Sequence, residues 1–176
     1  MIPNPRIPPR AAPAVDVIVR ATPWRRVADA ETIVRDAIAA AASLCDAVPF
    51  DGEVAVVLAD DSLARDLNKQ WRRIDRPTNV LSFPAMPAPS VEEAPTALGD
   101  IVIAYETVER EAMLEGKTLG AHLAHLTVHG FLHLVGYDHR TDDEAADMEA
   151  LETRILAELG LPDPYAEGTR RRAINR

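Results

Sequence analysis

The stretch HLTVHGFLHLVGYDH, from His125 to His139, decides the fold of this chain and concentrates its chemistry. Residues 119–135, which overlap it, are apolar at most positions, and this predicts a helix buried on most of its faces. Gly136 follows and is expected to end the helix, as glycine commonly does at a helix C-terminus. The sequence therefore predicts a central helix that carries histidines near its end.

His129 and His133 are four residues apart, so a helix places both side chains on one face, with their Cβ atoms about 5–6 Å apart. Two imidazoles at that separation can bind one tetrahedral ion, and His139, three residues after Gly136, can supply a third ligand. Three neutral ligands leave a fourth position for water, which is typical of a catalytic rather than a structural zinc site. Imidazole also suits copper, iron or nickel, but zinc is expected because it is common and redox-inert.

The alternative is that these are core histidines with satisfied hydrogen bonds. That interpretation fits a single buried histidine better than three histidines within eleven residues, so the spacing favours a metal site. His125, one turn before His129, is expected to support a ligand or to pack beside it. We expect His122 to be partly exposed.

The order His-x-x-x-His-x-x-Gly-x-x-His matches the ligand frame of metzincin proteases, which carry glutamate directly after the first histidine as general base. This chain has Gly130 there, which argues against peptide hydrolysis. A zinc hydrolase acting on another substrate remains an alternative, because a zinc-bound water can ionise near neutral pH without a carboxylate.

The remaining sequence indicates an ordinary globular chain of 176 residues, with 47% hydrophobic and 27% charged residues. A formal net charge of −9 excludes a generally basic nucleic-acid coat, so contact with RNA would need a local basic patch. Cys45 is the single cysteine, which excludes an intramolecular disulfide and a thiolate zinc cluster and favours a reducing compartment. No secretory signal or bilayer-length apolar run is present.

Hydrophobic periodicity predicts an α/β (α+β) fold, with a mixed sheet of about four strands packed by about five helices. The second strand is expected to be central, because it is mostly apolar. The predicted strands are residues 15–19, 53–59, 80–83 and 101–104, and the predicted helices are residues 22–45, 60–71, 106–114, 119–135 and 142–159. We further expect a disordered proline-rich extension at residues 1–14, one domain at 15–165, a loop at 85–97 and a basic tail at 166–176.

A second motif, LNKQWRRIDRPTNVLSFP at residues 67–84, has four cations within eight residues and a single acid, Asp75. The four cations are Lys69, Arg72, Arg73 and Arg76. Such a patch can contact phosphates. From charge alone, a solvated helix end whose cations complement the helix dipole is the favoured alternative.

Taken together, residues 129–139, residues 67–84 and the segment LGDI at 98–101 resemble the YbeY family of bacterial metal-dependent endoribonucleases, also called rRNA maturation factors. The three motifs also occur in the family's order, and the resemblance covers roughly residues 50–165. It implies one zinc ion per chain, held by His129, His133 and His139. It also implies that Arg72 acts beside His129 in catalysis and engages an RNA phosphate.

The resemblance further implies a cytoplasmic, single-strand-specific endoribonuclease in 16S rRNA 3′-end maturation and ribosome quality control. The implied partners are the 16S rRNA precursor, the 30S and 70S ribosome, small-subunit ribosomal proteins and an Era-type GTPase, with no membrane partner. The alternative is a ribosome-assembly factor in which zinc is mainly structural. The nucleophile stays open between a metal-bound hydroxide and the RNA 2′-hydroxyl.

Asp100 and Asp138 are candidates to orient a ligand histidine or to move a proton. For Asp138, a role in shaping and capping the loop is slightly favoured.

Overall fold

The computed structural model describes residues 12–45, 52–86 and 96–166 of the chain. The strands are β1 (Ala14–Val19), β2 (Gly52–Ala59), β3 (Val80–Pro84) and β4 (Thr96–Ala104). The helices are α1 (Ala30–Leu44), α2 (Asp61–Arg72), α3 (Tyr105–Glu115), α4 (Leu119–Leu134) and α5 (Asp142–Glu158), preceded by a short 3-10 helix (Thr22–Arg26). Within these ranges, the predicted four strands and five helices are confirmed.

The strands form one mixed sheet in the order β1-β2-β4-β3. β1 pairs with β2 and β2 pairs with β4 in parallel, whereas β3 pairs with β4 antiparallel. β2 is therefore an inner strand, as its apolar sequence predicts, and β3 forms one edge of the sheet.

The strand register places different helices on the two faces of the sheet. Leu81 pairs with Val102, and both pack with Leu63 and Leu67 of α2. Because side chains alternate along a strand, the neighbouring Ile101 points to the other face, where it meets α4. α2 and α4 therefore lie on opposite faces, with the β3 edge between them.

α4 lies at the centre of the larger core and packs against α1, α3, α5, β3 and β4. Thr118 caps its first turn, since the Thr118 side chain accepts a hydrogen bond from the backbone N–H of Ala121. The predicted central position of the histidine-bearing helix is confirmed.

The prediction of one helix over residues 22–45 is wrong. The 3-10 helix ends at Arg26, and α1 begins only at Ala30, after Asp29 with a left-handed φ of 58°. The side chain of Trp24 is buried, and its Nε1–H donates to the carbonyl oxygen of Ala59 at 2.8 Å. This bond ties the short helix to the end of β2, and the chain then turns into α1 in a new direction.

The last strand is longer than its sequence predicts, because β4 begins at Thr96 rather than at residue 101. The register with β2 shifts where Val54 pairs with Gly99, whose φ is +133°. Glycine tolerates this backbone conformation, so the strand continues through an irregularity that interrupts its apolar pattern. Residues 96 and 97 therefore belong to β4 and not to the predicted loop.

Residues 1–11 of the predicted proline-rich extension, the middle of the predicted loop and nearly all of the basic tail lie outside the described residues. The expected disorder is wrong for the end of the extension, because Pro13 is buried and Ala14 already belongs to β1, where it pairs with Glu53 of β2. In the part that is described, no helix is long and apolar enough to cross a membrane.

Candidate metal centre

His129, His133 and His139 converge at the end of α4 and in the turn that follows it. One ring nitrogen from each lies within 4.8 Å of the other two. His129 and His133 are partly buried, and His139 is exposed on the solvent side. The structure therefore brings together the three histidines that the sequence predicts as ligands, in a group that could hold a metal ion.

The Nδ1 atoms of His129 and His133 each have a hydrogen-bond partner. Nδ1 of His133 lies 3.0 Å from the carbonyl oxygen of Tyr137, and a carbonyl can only accept a hydrogen bond. Nδ1 of His129 lies 2.8 Å from Oε1 of Glu152. Both Nδ1 atoms therefore donate, and each neutral ring has its lone pair on Nε2.

These two lone pairs point at a shared space, since the Nε2 atoms of His129 and His133 are 3.1 Å apart. A tetrahedral zinc about 2.1 Å from each nitrogen would hold them about 3.4 Å apart, close to the observed separation. Burial and the charges of His129 and His139 lower the pKa of His133, which favours the neutral ring that a metal requires. The donor set therefore fits a zinc-type ion.

The loop after α4 positions His139. Gly136 has a φ of +97°, and the N–H of Tyr137 donates back to the carbonyl of Leu132, so the chain turns over the helix end. Asp138 shapes the next step: its Oδ1 accepts from the N–H of His139 at 2.9 Å, and its Oδ2 lies 2.6 Å from Nε of Arg140. In the described contacts, the Asp138 carboxylate meets the backbone of His139 and the side chain of Arg140 rather than a histidine ring.

Glu152 of α5 is a residue of the centre that the sequence analysis missed. Its side chain is fully buried, and its two oxygens contact Nδ1 of His129 and Nε2 of His125. Burial raises the pKa of Glu152, but hydrogen bonds from His125 and His129 outweigh it and lower the pKa to about 2. A signal was present, because Glu152 lies within the apolar stripe of α5 that begins with Met148 and ends with Leu156.

His125 lies beside the centre, at 2.9 Å from Oε2 of Glu152, and it supports His129 only through that shared carboxylate. The expectation that His122 is partly exposed is wrong, because His122 is only 3% exposed. Nε2 of His122 lies 3.0 Å from Oε2 of Glu111 in α3, which also accepts from Asn79. This pairing satisfies Nε2 of the buried ring.

Asp100 does not lie beside the histidines. It pairs with Phe83 in the sheet and shares with Phe83 the face covered by α2, whereas the adjacent Ile101 faces α4. The prediction that Asp100 orients a ligand histidine is therefore wrong. The register decides this, and the sequence alone does not reveal it.

The absence of a glutamate after His129 has a steric reason. A Cβ atom at Gly130 would lie 2.9 Å from Cγ2 of the buried Ile101 and 3.1 Å from Oγ of Ser82, which donates to the Gly130 carbonyl. The helix is therefore so close to the sheet at this point that any side chain would force Ile101 and Ser82 to shift. The packing therefore disfavours a protease-type general base at this position.

The basic segment begins at the C-terminal end of α2. Asp75 binds Nε of Arg65 at 2.6 Å and Nζ of Lys69 at 2.8 Å, so Lys69 is partly neutralised. Asn68 donates from Nδ2 to the carbonyl of Arg76 and closes the turn. Among the salt bridges between described residues, none involves the exposed guanidinium groups of Arg72, Arg73 and Arg76.

Fold and site together define an α/β protein with an open three-imidazole centre at the end of its central helix. Residues 22–160 match the family model described as endoribonuclease YbeY. The chain belongs to the YbeY family, and the enzyme class that its motifs predict, a hydrolase that is an endoribonuclease, is confirmed.

Curated relatives agree with this assignment. The chain is 57% identical over 159 residues to endoribonuclease YbeY of Nitrobacter hamburgensis, covering 89% of this chain and 84% of the relative. It is 56% identical over 160 residues to endoribonuclease YbeY of Rhodopseudomonas palustris, covering 90% and 93%. A solution structure from Thermotoga maritima is similar with a TM-score of 0.47 and 25% identity, covering 82% of this chain and 91% of that one.

Proposed function

We propose that this chain is a zinc-dependent endoribonuclease that binds one ion through His129, His133 and His139 and cleaves single-stranded RNA. The observation that carries the proposal is the 3.1 Å distance between Nε2 of His129 and Nε2 of His133, in rings whose Nδ1 atoms both donate to oxygen acceptors. Two lone pairs at this distance repel unless a cation lies between them. His139 is adjacent and exposed, so three imidazoles would hold the ion and leave a fourth tetrahedral position for water or substrate.

When bound, zinc supplies Lewis-acid polarisation of a phosphate oxygen and a lowered pKa for water. The residues of the chain hold this site in shape. Glu152 and the Tyr137 carbonyl keep His129 and His133 in the ligating tautomer, and the turn at Gly136 brings His139 over the helix end.

The basic segment supplies the second part of the site. Arg72 is exposed at the end of α2, and its planar guanidinium can bind a phosphate through two parallel hydrogen bonds. α2 and α4 lie on opposite faces of the sheet, so an RNA strand that reaches both Arg72 and His129 has to pass the β3 edge. Lys69 lies in the last turn of α2, and Arg73 and Arg76 lie in the segment after it. All three would contact neighbouring phosphates.

Family membership supports a specific substrate and setting. We assign to the chain cleavage of the 16S rRNA precursor during 3′-end maturation and ribosome quality control in the cytoplasm. Its partners would be the 30S and 70S ribosome, small-subunit ribosomal proteins and an Era-type GTPase.

Two substitutions test the division of roles. His129→Ala should lower the zinc content and abolish cleavage of single-stranded RNA, since it removes one ligand of three. Arg72→Ala should keep zinc but lower cleavage by about 10²-fold or more, the scale for loss of one charge-stabilising donor. Elemental analysis and a cleavage assay with and without chelator measure both effects.

Arg25→Ala, at an exposed arginine of the 3-10 helix, is the matched control and should cleave like the parent. If Arg72→Ala cleaves as fast as the parent, the phosphate role is wrong. If the gently purified parent binds no zinc, the metal role is wrong.

A further inference from the structure

A buried carboxylate joins the histidine centre to the end of the described chain. Oε1 of Glu152 accepts from Nδ1 of His129 at 2.8 Å. Oε2 accepts from Nε2 of His125 at 2.9 Å and from the hydroxyl of Tyr165. Both oxygens of a fully buried carboxylate are therefore engaged, one of them on a residue of the histidine centre.

Tyr165 lies beyond residue 160, where the family match ends, and it is held in place by its own segment. Its N–H donates to Oδ1 of Asp163, and the same oxygen accepts from the hydroxyl of Thr153 in α5. Nζ of Lys117, before α4, lies 3.4 Å from the carbonyl of Pro164. The segment after α5 is thus anchored to α5 and to the connection between α3 and α4, and it presents the tyrosine to Glu152.

The ring of Tyr165 also packs against the centre. It meets the ring of His125 edge-on, with ring centroids 5.6 Å apart and an interplanar angle of 86°. A tyrosine that only filled space here would not need its hydroxyl directed at a carboxylate. The hydroxyl meets the carboxylate oxygen of Glu152 that does not contact His129.

We propose that Glu152 and Tyr165 are positioning residues of the metal centre. Glu152 holds His129 with its proton on Nδ1 and its lone pair on Nε2, and Tyr165 fixes the rotamer of Glu152 by donating to its second oxygen. Carboxylate partners of this kind orient metal-binding histidines and raise their basicity. The inference rests on the proposed metal site and extends it to the C-terminal segment.

The test uses Glu152→Gln, which keeps the shape of the side chain, and Tyr165→Phe, which removes only the hydroxyl. Zinc affinity of the full chain is measured by competition with a chromogenic chelator. We expect a loss of about 10–100-fold for Glu152→Gln, the usual effect of removing such a partner. For Tyr165→Phe we expect about fivefold, the scale of one hydrogen bond.

Matched controls separate this role from general packing. Tyr105→Phe removes another tyrosine–glutamate bond, to Glu109 on α3, and Glu111→Gln alters the other buried histidine–carboxylate pair, at His122. Both should bind zinc like the parent. If Glu152→Gln or Tyr165→Phe binds zinc no more weakly than these controls, the inference is overturned.

A second readout does not depend on metal. Long-range ¹H–¹⁵N correlation spectra of the metal-free protein should show His129 protonated on Nδ1 in the parent and a mixture of tautomers in Glu152→Gln. If the parent itself shows mixed tautomers, positioning by Glu152 is refuted, whatever the protein does to RNA. If the parent binds no zinc but shows this tautomer change, the proposed function fails and the positioning role stands. Tyr165→Phe retains the carboxylate, so the affinity test survives if Glu152→Gln does not fold.

Discussion

Gly130 shows how one missing side chain controls both packing and chemistry. An alanine there would place its Cβ 2.9 Å from the buried Ile101, and such overpacking costs about 1–3 kcal/mol, while the gain in helix propensity returns at most about 1 kcal/mol. Gly130→Ala should therefore lower the free energy of unfolding by about 1–2 kcal/mol, measured by denaturant titration.

Gly120→Ala in the same helix is the control, since its Cβ would meet only the tip of the Ile33 side chain at 3.1 Å. That variant should be as stable as the parent or slightly more stable. Equal stability of Gly130→Ala and the parent would contradict the close approach of α4 to the sheet.

Asp75 provides a prediction about pH at the turn after α2. Hydrogen bonds from Arg65 and Lys69 lower its pKa from 3.8 to about 2. Because the folded-state pKa is lower than the unfolded one, the ionised carboxylate stabilises the fold above the ordinary pKa, and this contribution disappears as the pH falls through about 2. A carboxyl-detected NMR titration should find the low pKa.

Asp75→Asn should unfold more easily than the parent near neutral pH, and the difference should vanish in strong acid. A titration of Asp75 with its ordinary pKa would show that the two cations do not hold it in solution.

At the level of whole elements, α5, the helix that carries Glu152, is stabilised by a cap at its N-terminus. Thr141 and Glu144 form a reciprocal capping box, in which each side chain accepts from the other's backbone N–H. Thr141→Ala should cost about 1 kcal/mol and lower the melting temperature by about 2–4 °C for a chain of this size. Ser62→Ala, in the first turn of α2 where Asp60 is the cap, is the control and should leave the melting temperature unchanged.

The whole molecule should be stabilised by the ion that its centre is proposed to bind. A ligand at about 100 times its dissociation constant adds about 2.7 kcal/mol to the folded state, which corresponds to about 5–10 °C in melting temperature for this size. Calorimetry of the metal-free protein with and without zinc measures this shift. His133→Ala should lose the zinc-dependent part, and a shift that persists in that variant would place the ion elsewhere.

Local spacing in the sequence was enough to predict α4, the inner strand β2 and the three converging histidines. The reason is that helix periodicity and the turn at Gly136 are properties of a few neighbouring residues, and all three histidines lie within eleven positions. The break before α1 was missed, because it depends on the bond from Trp24 to Ala59 across the fold.

Only the tertiary structure decided which carboxylate supports the centre. Glu152 lies 23 positions after His129 and reaches it because α5 packs on α4, whereas Asp100 is turned to the other face by the strand register. Contacts between distant segments depend on how helices and strands pack. The pattern of a single sequence does not reveal which carboxylate oxygen will meet which histidine nitrogen. The ligands of the proposed ion are therefore encoded locally, and their orientation is a product of the fold.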